Sequence, residues 1–297
     1  MKLQRLHRSV SAVVVLTLAA LTLAGCGNDD AGSSGKVRVV AAFYPLAWAA
    51  REVGGSDVSV TDLTTPGVEP HDLELKVRQT AQVSEADLVV YEKQFQPAVD
   101  SAVKENAKSS FDVSDVVKLH QTSEGPDPHF WQDPLRMKAY VDALGTRFAK
   151  IDPAHAAAYH QRADALGAKL TALNADYRSG LATCKVSTIV VSHDAFNYLA
   201  KYGITVAGIA GLSPDAEPSA AHIQQLQDLI RTDGVTTVFS EVLASPKLAD
   251  ALSHDLGLKS EVLDPIEGVS KDAPAGTTYL TIMRSNLAKL RTADSCT

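Results

Sequence analysis

The chain predicts an α/β fold of two lobes built on parallel sheets and joined by a long helix, and three observations carry that reading. Short β-rich apolar runs alternate with helix-like segments early in the sequence, the same alternation returns near the end, and the stretch between has no strand signal. In the first lobe, 37–134, strands are expected at 37–43, 58–63 and 88–91, with helical patterns starting at Leu46, Val77 and Phe95. In the second, 184–297, strands are expected at 188–192, 206–209, 235–239 and 261–263, with helical patterns from Ala195, Ser219 and Pro246. The connector, 135–183, is rich in Ala, Leu, Lys, Arg and Gln, and one helix should end before Asp152. Pro153 then sits where a first turn tolerates proline, and Ala157, Leu166, Leu170 and Leu173 fall near helical spacing, which suggests a second helix of ~28 residues. Such a helix acts as a stiff strut, so large closing motions are disfavoured.

Ahead of the lobes, 1–25 reads as a secretory signal peptide: Lys2, Arg5 and Arg8 precede an apolar run from Val10 to Ala24. The run is shorter than the ~20 residues a membrane span needs. Leu23-Ala24-Gly25-Cys26 looks like a bacterial lipobox, which makes Cys26 the expected lipidation site and the location extracytoplasmic, lipid-anchored to the membrane. Residues 26–36 hold no large apolar side chain before Lys36 and read as a flexible tether.

Loss of the signal peptide removes three positive charges and no acid, leaving 25 basic and 35 acidic residues, a net charge of -10 in place of -7. An acidic body argues against a nucleic-acid partner and does not argue against a cation. A monomer is expected. With Cys26 assigned to lipid, Cys184 and Cys296 are left, either as a disulfide, which this compartment permits, or as two free buried thiols.

Three histidines stand where neither a helix surface nor a core requires them. His71 lies in a Pro/Gly-rich loop after the second strand, His129 lies between Pro128 and Pro134, and His193 follows the strand ending Val190-Val191-Ser192. Ligands of open α/β sheets bind beyond the carboxyl ends of the strands, where His71, His193 and Asp264 all fall. Prolines beside His71, His129 and Asp264 stiffen the backbone there, as a preorganised ligand shell needs. Three imidazoles and one carboxylate suit Zn²⁺, and four protein ligands close its coordination sphere, the mark of carriage where an open position marks catalysis. Taken singly, each histidine is as well explained as a hydrogen-bonded surface group, because their dispersed spacing lacks the force of a compact HExxH helix. Glu241 and Asp194 are candidates to orient an imidazole, with a strand-end or helix cap as the alternative for each. No GxxxxGK[ST], GxSxG or HExxH pattern is present.

Glu69-Pro70-His71-Asp72-Leu73-Glu74, the run from Asp127 to Pro134 around His129, Ser192-His193-Asp194-Ala195-Phe196-Asn197-Tyr198 and Leu263-Asp264-Pro265 resemble, in order, the metal-site motifs of the zinc/manganese substrate-binding proteins of ABC importers, the ZnuA/TroA-like cluster. The resemblance covers essentially the whole mature chain, including Phe239-Ser240-Glu241 and 278–286. It implies two four-stranded lobes, a rigid linking helix, a metal held between the lobes and an ABC permease as partner. Matched position by position, His71, His129 and His193 are the imidazole ligands and Asp264 the fourth, though some members use a carboxylate elsewhere or a water. Manganese-preferring relatives carry a carboxylate where this chain has His193, and nitrogen donors favour zinc over the harder Mn²⁺, which remains the alternative. The long His-rich loop of many zinc members is missing: only His120 lies between the first two ligands, as an accessory group near the cleft mouth. Two other functions stay open, a zinc hydrolase with Glu241 as base and a surface adhesin.

Overall fold

The computed structural model describes residues 35–297. The expected signal peptide, Cys26 and nearly all of the tether lie outside the described residues. In chain order the first lobe contains β1 (Val37–Ala41), α1 (Tyr44–Gly54), β2 (Val58–Asp62), α2 (Val77–Glu85), β3 (Leu88–Tyr91), α3 (Pro97–Asn106), β4 (Ser110–Asp112), α4 (Ser114–Val117) and a hairpin of β5 (His120–Thr122) with β6 (Gly125–Asp127). The connector is α5 (Pro134–Ile151) and α6 (Ala156–Gly180); the second lobe contains β7 (Thr188–Val191), β8 (Thr205–Gly208), α7 (Ala220–Asp233), β9 (Thr237–Ser240), α8 (Lys247–Leu256), β10 (Lys259–Val262) and α9 (Tyr279–Ala293).

Two four-stranded parallel sheets result, ordered β2-β1-β3-β4 and β10-β9-β7-β8. Both follow one plan. The first strand is central, the second pairs on one side of it, and the third crosses to the other side, which creates a switch point at the carboxyl ends where loops diverge and leave a crevice. The central strands read as continuous apolar runs because both faces are covered: Val39, Val40, Ala41, Val89 and Val90 in one sheet and Ile189, Val190 and Val191 in the other are buried.

The connector departs little from its sequence pattern. Asp133 caps α5 by accepting from the Leu135 N–H at 2.9 Å, Pro134 occupies the first turn, and the helix stops at Ile151. A 3-10 turn, Pro153–His155, then leads into the 25 residues of α6. Leu166, Leu170, Leu173 and Tyr177 line its buried side. The Tyr177 hydroxyl donates to the Met283 carbonyl in α9 at 2.7 Å, and Arg162 donates to the Val53 and Gly54 carbonyls at the end of α1, so one helix grips both lobes. Cys184 and Cys296 are joined in a disulfide that ties the C-terminus to the start of the second lobe.

One local expectation changes, and further elements appear for which the sequence pattern set no expectation. No α-helix follows His193, because 197–202 forms a 3-10 turn ended by Gly203 at φ 87°. The loop around His120 is a two-stranded hairpin, whose three-residue strands are too short to show periodicity. Residues 279–293 form α9, opened by a capping box between Thr278 and Thr281. Among the described residues no helix is long and apolar enough to cross a membrane.

Candidate metal centre

Each loop that carries a site residue is held by its own hydrogen bonds before any ligand is considered. After β2 the chain turns through Gly67, and Gln96 donates to the Pro70 carbonyl at 2.9 Å while a Glu69 carboxylate oxygen accepts from the His71 N–H at 3.1 Å. The His71 ring then stands edge-on to Phe95, centroids 4.7 Å apart. His129 follows β6, where Asp127 Oδ1 accepts from both the His129 backbone N–H (3.0 Å) and its Nδ1–H (2.8 Å). His193 leaves the end of β7 and donates Nδ1–H to Glu241 Oε1, just beyond β9, at 2.9 Å. A carboxylate only accepts, so each of these contacts fixes the proton on Nδ1 and turns Nε2 inward.

The three inward nitrogens meet one atom. Glu267 Oε1 lies 3.3 Å from His71 Nε2, 3.1 Å from His129 Nε2 and 3.0 Å from His193 Nε2. The ring centroids are 5.3–5.7 Å apart, and one donor atom from each of the four residues fits within 4.8 Å of every other. Glu267 Oε2 and His129 Nε2 are buried without a hydrogen-bond partner. Convergence of this kind, with orphaned donor atoms at its centre, is what a cation-binding cage looks like when its side chains close on one another. The electrostatics agree. Burial alone would push Glu267 up, yet His193 and the other rings hold it well below the carboxylate range. Burial pulls His193 and His129 down, but the carboxylates outweigh it and both end raised, whereas in the more open His71 burial prevails and lowers it.

Asp264 is not part of this group. Its Oδ1 accepts from the Ile266 N–H at 2.8 Å, and Asn286 clasps its backbone from α9, so the side chain is spent on the turn itself. Ile266 follows at φ 62°, a left-handed conformation that a β-branched residue adopts only under constraint, and this reversal delivers Glu267 into the cleft. The constraint comes from the other lobe: the indole of Trp131 and the amide of Gln132, two and three residues after His129, both donate to the Pro265 carbonyl.

Asp194 does not orient an imidazole either. Its Oδ1 accepts from the Gly208 N–H at 2.8 Å and secures the end of β8. The His120 ring packs on Tyr198, centroids 4.6 Å apart, away from the four-residue group. Its hairpin matters through backbone instead, since the Tyr198 hydroxyl accepts from the His120 N–H and donates to the Asp127 carbonyl at 2.8 Å.

The described pattern of the ZnuA family, "Zinc-uptake complex component A periplasmic", matches residues 39–293. This chain belongs to the ZnuA family. It is 33% identical over 307 residues to the high-affinity zinc uptake system protein ZnuA of Bacillus subtilis (strain 168), covering 95% of this chain and 96% of that protein. It is 32% identical over 301 residues to the zinc-binding lipoprotein AdcA of Streptococcus pneumoniae serotype 4, covering 94% of this chain but only 60% of that longer protein. The Zn(II)-bound ZnuA-like domain of Streptococcus pneumoniae AdcA superposes with a TM-score of 0.76 at 32% identity, over 88% of this chain and 99% of that one. The laminin-binding protein Lmb of Streptococcus agalactiae, described as having adhesin and metal transporting activity, superposes with a TM-score of 0.80 at 29% identity, over 87% and 99% of the two chains.

Two site residues of this ZnuA-family chain escaped the sequence reading. Glu267 stands three residues beyond Asp264 in the same strand-end loop, and spacing could not rank the two acids. Asp127 carries a clearer signal, an acid two residues before a histidine with proline between, which is the geometry in which it holds both the backbone and the ring of His129.

Proposed function

We propose that this protein captures one zinc ion outside the cytoplasm and delivers it to the permease of an ABC importer. The ligands in this reading are His71, His129, His193 and Glu267, with Asp127 and Glu241 orienting two of the imidazoles. The observation that carries it is the convergence of three imidazole Nε2 atoms on Glu267 Oε1. Three nitrogens and one oxygen favour zinc over manganese, and four protein donors leave no open position for a reactive water, which speaks for carriage rather than hydrolysis. Family membership and the zinc-binding relatives support the same cargo. Residues 1–25 serve as signal peptide and Cys26 as the lipid anchor, with 26–36 as tether to a monomeric body whose lobes, 37–134 and 184–297, are joined by 135–183.

The test is a titration of the soluble body with zinc. One ion per chain is expected, with preference over Mn²⁺ in competition and severe loss of affinity in both His129→Ala and His193→Ala; undiminished binding in the two variants would sink the reading. The likeness to Lmb supports a second activity as an adhesin. Deleting the gene separates the two, since a growth defect under chelation that added zinc repairs belongs to transport alone.

A further inference from the structure

Beside the four-residue group lies a cavity of about 340 Å³ whose wall includes His71, Glu92, Phe95, Glu124 and Pro128. His71 is the donor of the four that reaches solvent: its side chain is 10% exposed, against 0–1% for the other three. An ion approaching without the lobes parting therefore meets this cavity, and then His71, first. The cavity's inner wall holds an anomaly. Glu92, immediately after β3, is 2% exposed, and neither carboxylate oxygen has a hydrogen-bond partner. Leaving a buried acid unpaired costs several kcal/mol unless something else meets it, and most buried polar groups are met. The backbone adds a second sign. Gln94 sits at φ 72°, and the Phe95 N–H closes back on the Glu92 carbonyl, a strained reversal that sets Glu92 and Phe95 on the same cavity wall. Glu124, from the hairpin turn, also lines the cavity and accepts from the Leu212 N–H of the second lobe at 3.2 Å.

We infer that Glu92, which lines this vestibule together with Glu124, is a transit site at which a divalent cation exchanges part of its water for carboxylate oxygen on its way to His71. The inference rests on the zinc-carrier reading above. Glu92 is not a ligand of the final site, because the four donors that come together there do not include it. A transit site lowers the barrier between solvent and the cage in both directions, so its removal slows capture and release by the same factor and leaves the equilibrium unchanged. A ligand, by contrast, raises the off-rate when removed, and a packing residue lowers the melting temperature.

The experiment is stopped-flow mixing of the metal-free soluble body with Zn²⁺, followed through Trp131, whose ring lies 5.3 Å from that of His129, together with a chelator chase for the off-rate. Glu92→Gln is expected to reduce association and dissociation rates together by about tenfold, the lower end of what charge-lined clefts contribute to capture, with Kd held and the melting temperature not lowered. Glu124→Gln acts in the same sense and more weakly, since its carboxylate is partly engaged by Leu212, and Asp228→Asn on the exposed face of α7 changes neither rate. An association rate in Glu92→Gln within twofold of the parent overturns the inference, as does a Kd that weakens in step with the rate. If the parent chain takes up no zinc, the carrier reading fails instead, and the two failures are distinct.

Discussion

The two lobes share a strand order and one large core, but only the second keeps a further apolar cluster apart from it. The first sheet merges with the connector: α1, α5 and α6 pack Leu46, Tyr140, Leu144, Phe148 and Leu170 into one apolar mass that continues through Trp131 to Tyr279 in α9. In the second lobe the outer layer keeps a small cluster of its own, with Val190, Val238, Leu226, Ile230, Ala249 and Leu252 between sheet and helices. Its edge strand β10 has all four residues exposed. One topology thus supports a half built wholly into the large core and a half whose outer layer is more lightly built, and the four converging residues are divided between them, His71 and His129 from the first, His193 and Glu267 from the second.

The two cores should differ in what a truncation costs. Leu46→Ala empties space in the large mass and is expected to cost about 4–5 kcal/mol, whereas Leu226→Ala, in a cluster better able to collapse, is expected to cost about 2–3 kcal/mol. Chemical denaturation gives both values, and equal losses would erase the distinction. Native-state hydrogen exchange should in turn find α7 and α8 opening at lower free energy than α1 and α5.

At the site, two acids of one loop have different tasks. Glu267→Ala should weaken zinc binding by more than the ~100-fold at the upper end for loss of an orienting partner, while Asp264→Ala, which unties the turn, should lower the melting temperature and weaken zinc less than Glu267→Ala does. Competition titration ranks them, and the reverse order would restore Asp264 as the donor.

The orienting carboxylates are matched across the lobes, Asp127 for His129 and Glu241 for His193. Asp127→Asn and Glu241→Gln are each expected to weaken zinc ~10–100-fold. Asp127 should sit at the larger end because it also holds the His129 backbone. A larger loss in Glu241→Gln would place the more critical support in the second lobe.

The smallest effect belongs to Asp294, at the C-terminal end of α9, where burial pushes the carboxyl up to about 7 and Oδ2 has no partner. Because the native form holds its proton to higher pH than the unfolded chain, its contribution to stability is intact below about pH 4 and is lost as pH rises toward 7. Asp294→Asn should therefore gain about 1 kcal/mol at pH 8, seen as a rise of about 2–4 °C in melting temperature, and nothing near pH 4. A gain that is flat with pH would show the charge to be irrelevant.

Much of this molecule was legible in local pattern. The apolar runs of β1, β3, β7 and β9, the stop at Asp152 and the Pro153 start of the connector each announce themselves within a few residues. What stayed hidden has a common cause. The strands β4, β5 and β6 are three residues long, too short for a period to register. The turn after His193 resembles a helix start in composition, and only its hydrogen bonds to β8 and the hairpin make it a 3-10 turn.

By itself the sequence determined two α/β lobes, a stiff connector and three histidines in strand-end loops, because side-chain period and turn chemistry act over short distances. Only the tertiary structure decided which acid meets those rings. Asp264 and Glu267 are alike in type and neighbourhood, and the choice falls at Ile266, forced into a left-handed backbone by an indole and an amide that reach Pro265 from the other lobe. A constraint applied across more than a hundred residues leaves no trace in the residues it constrains.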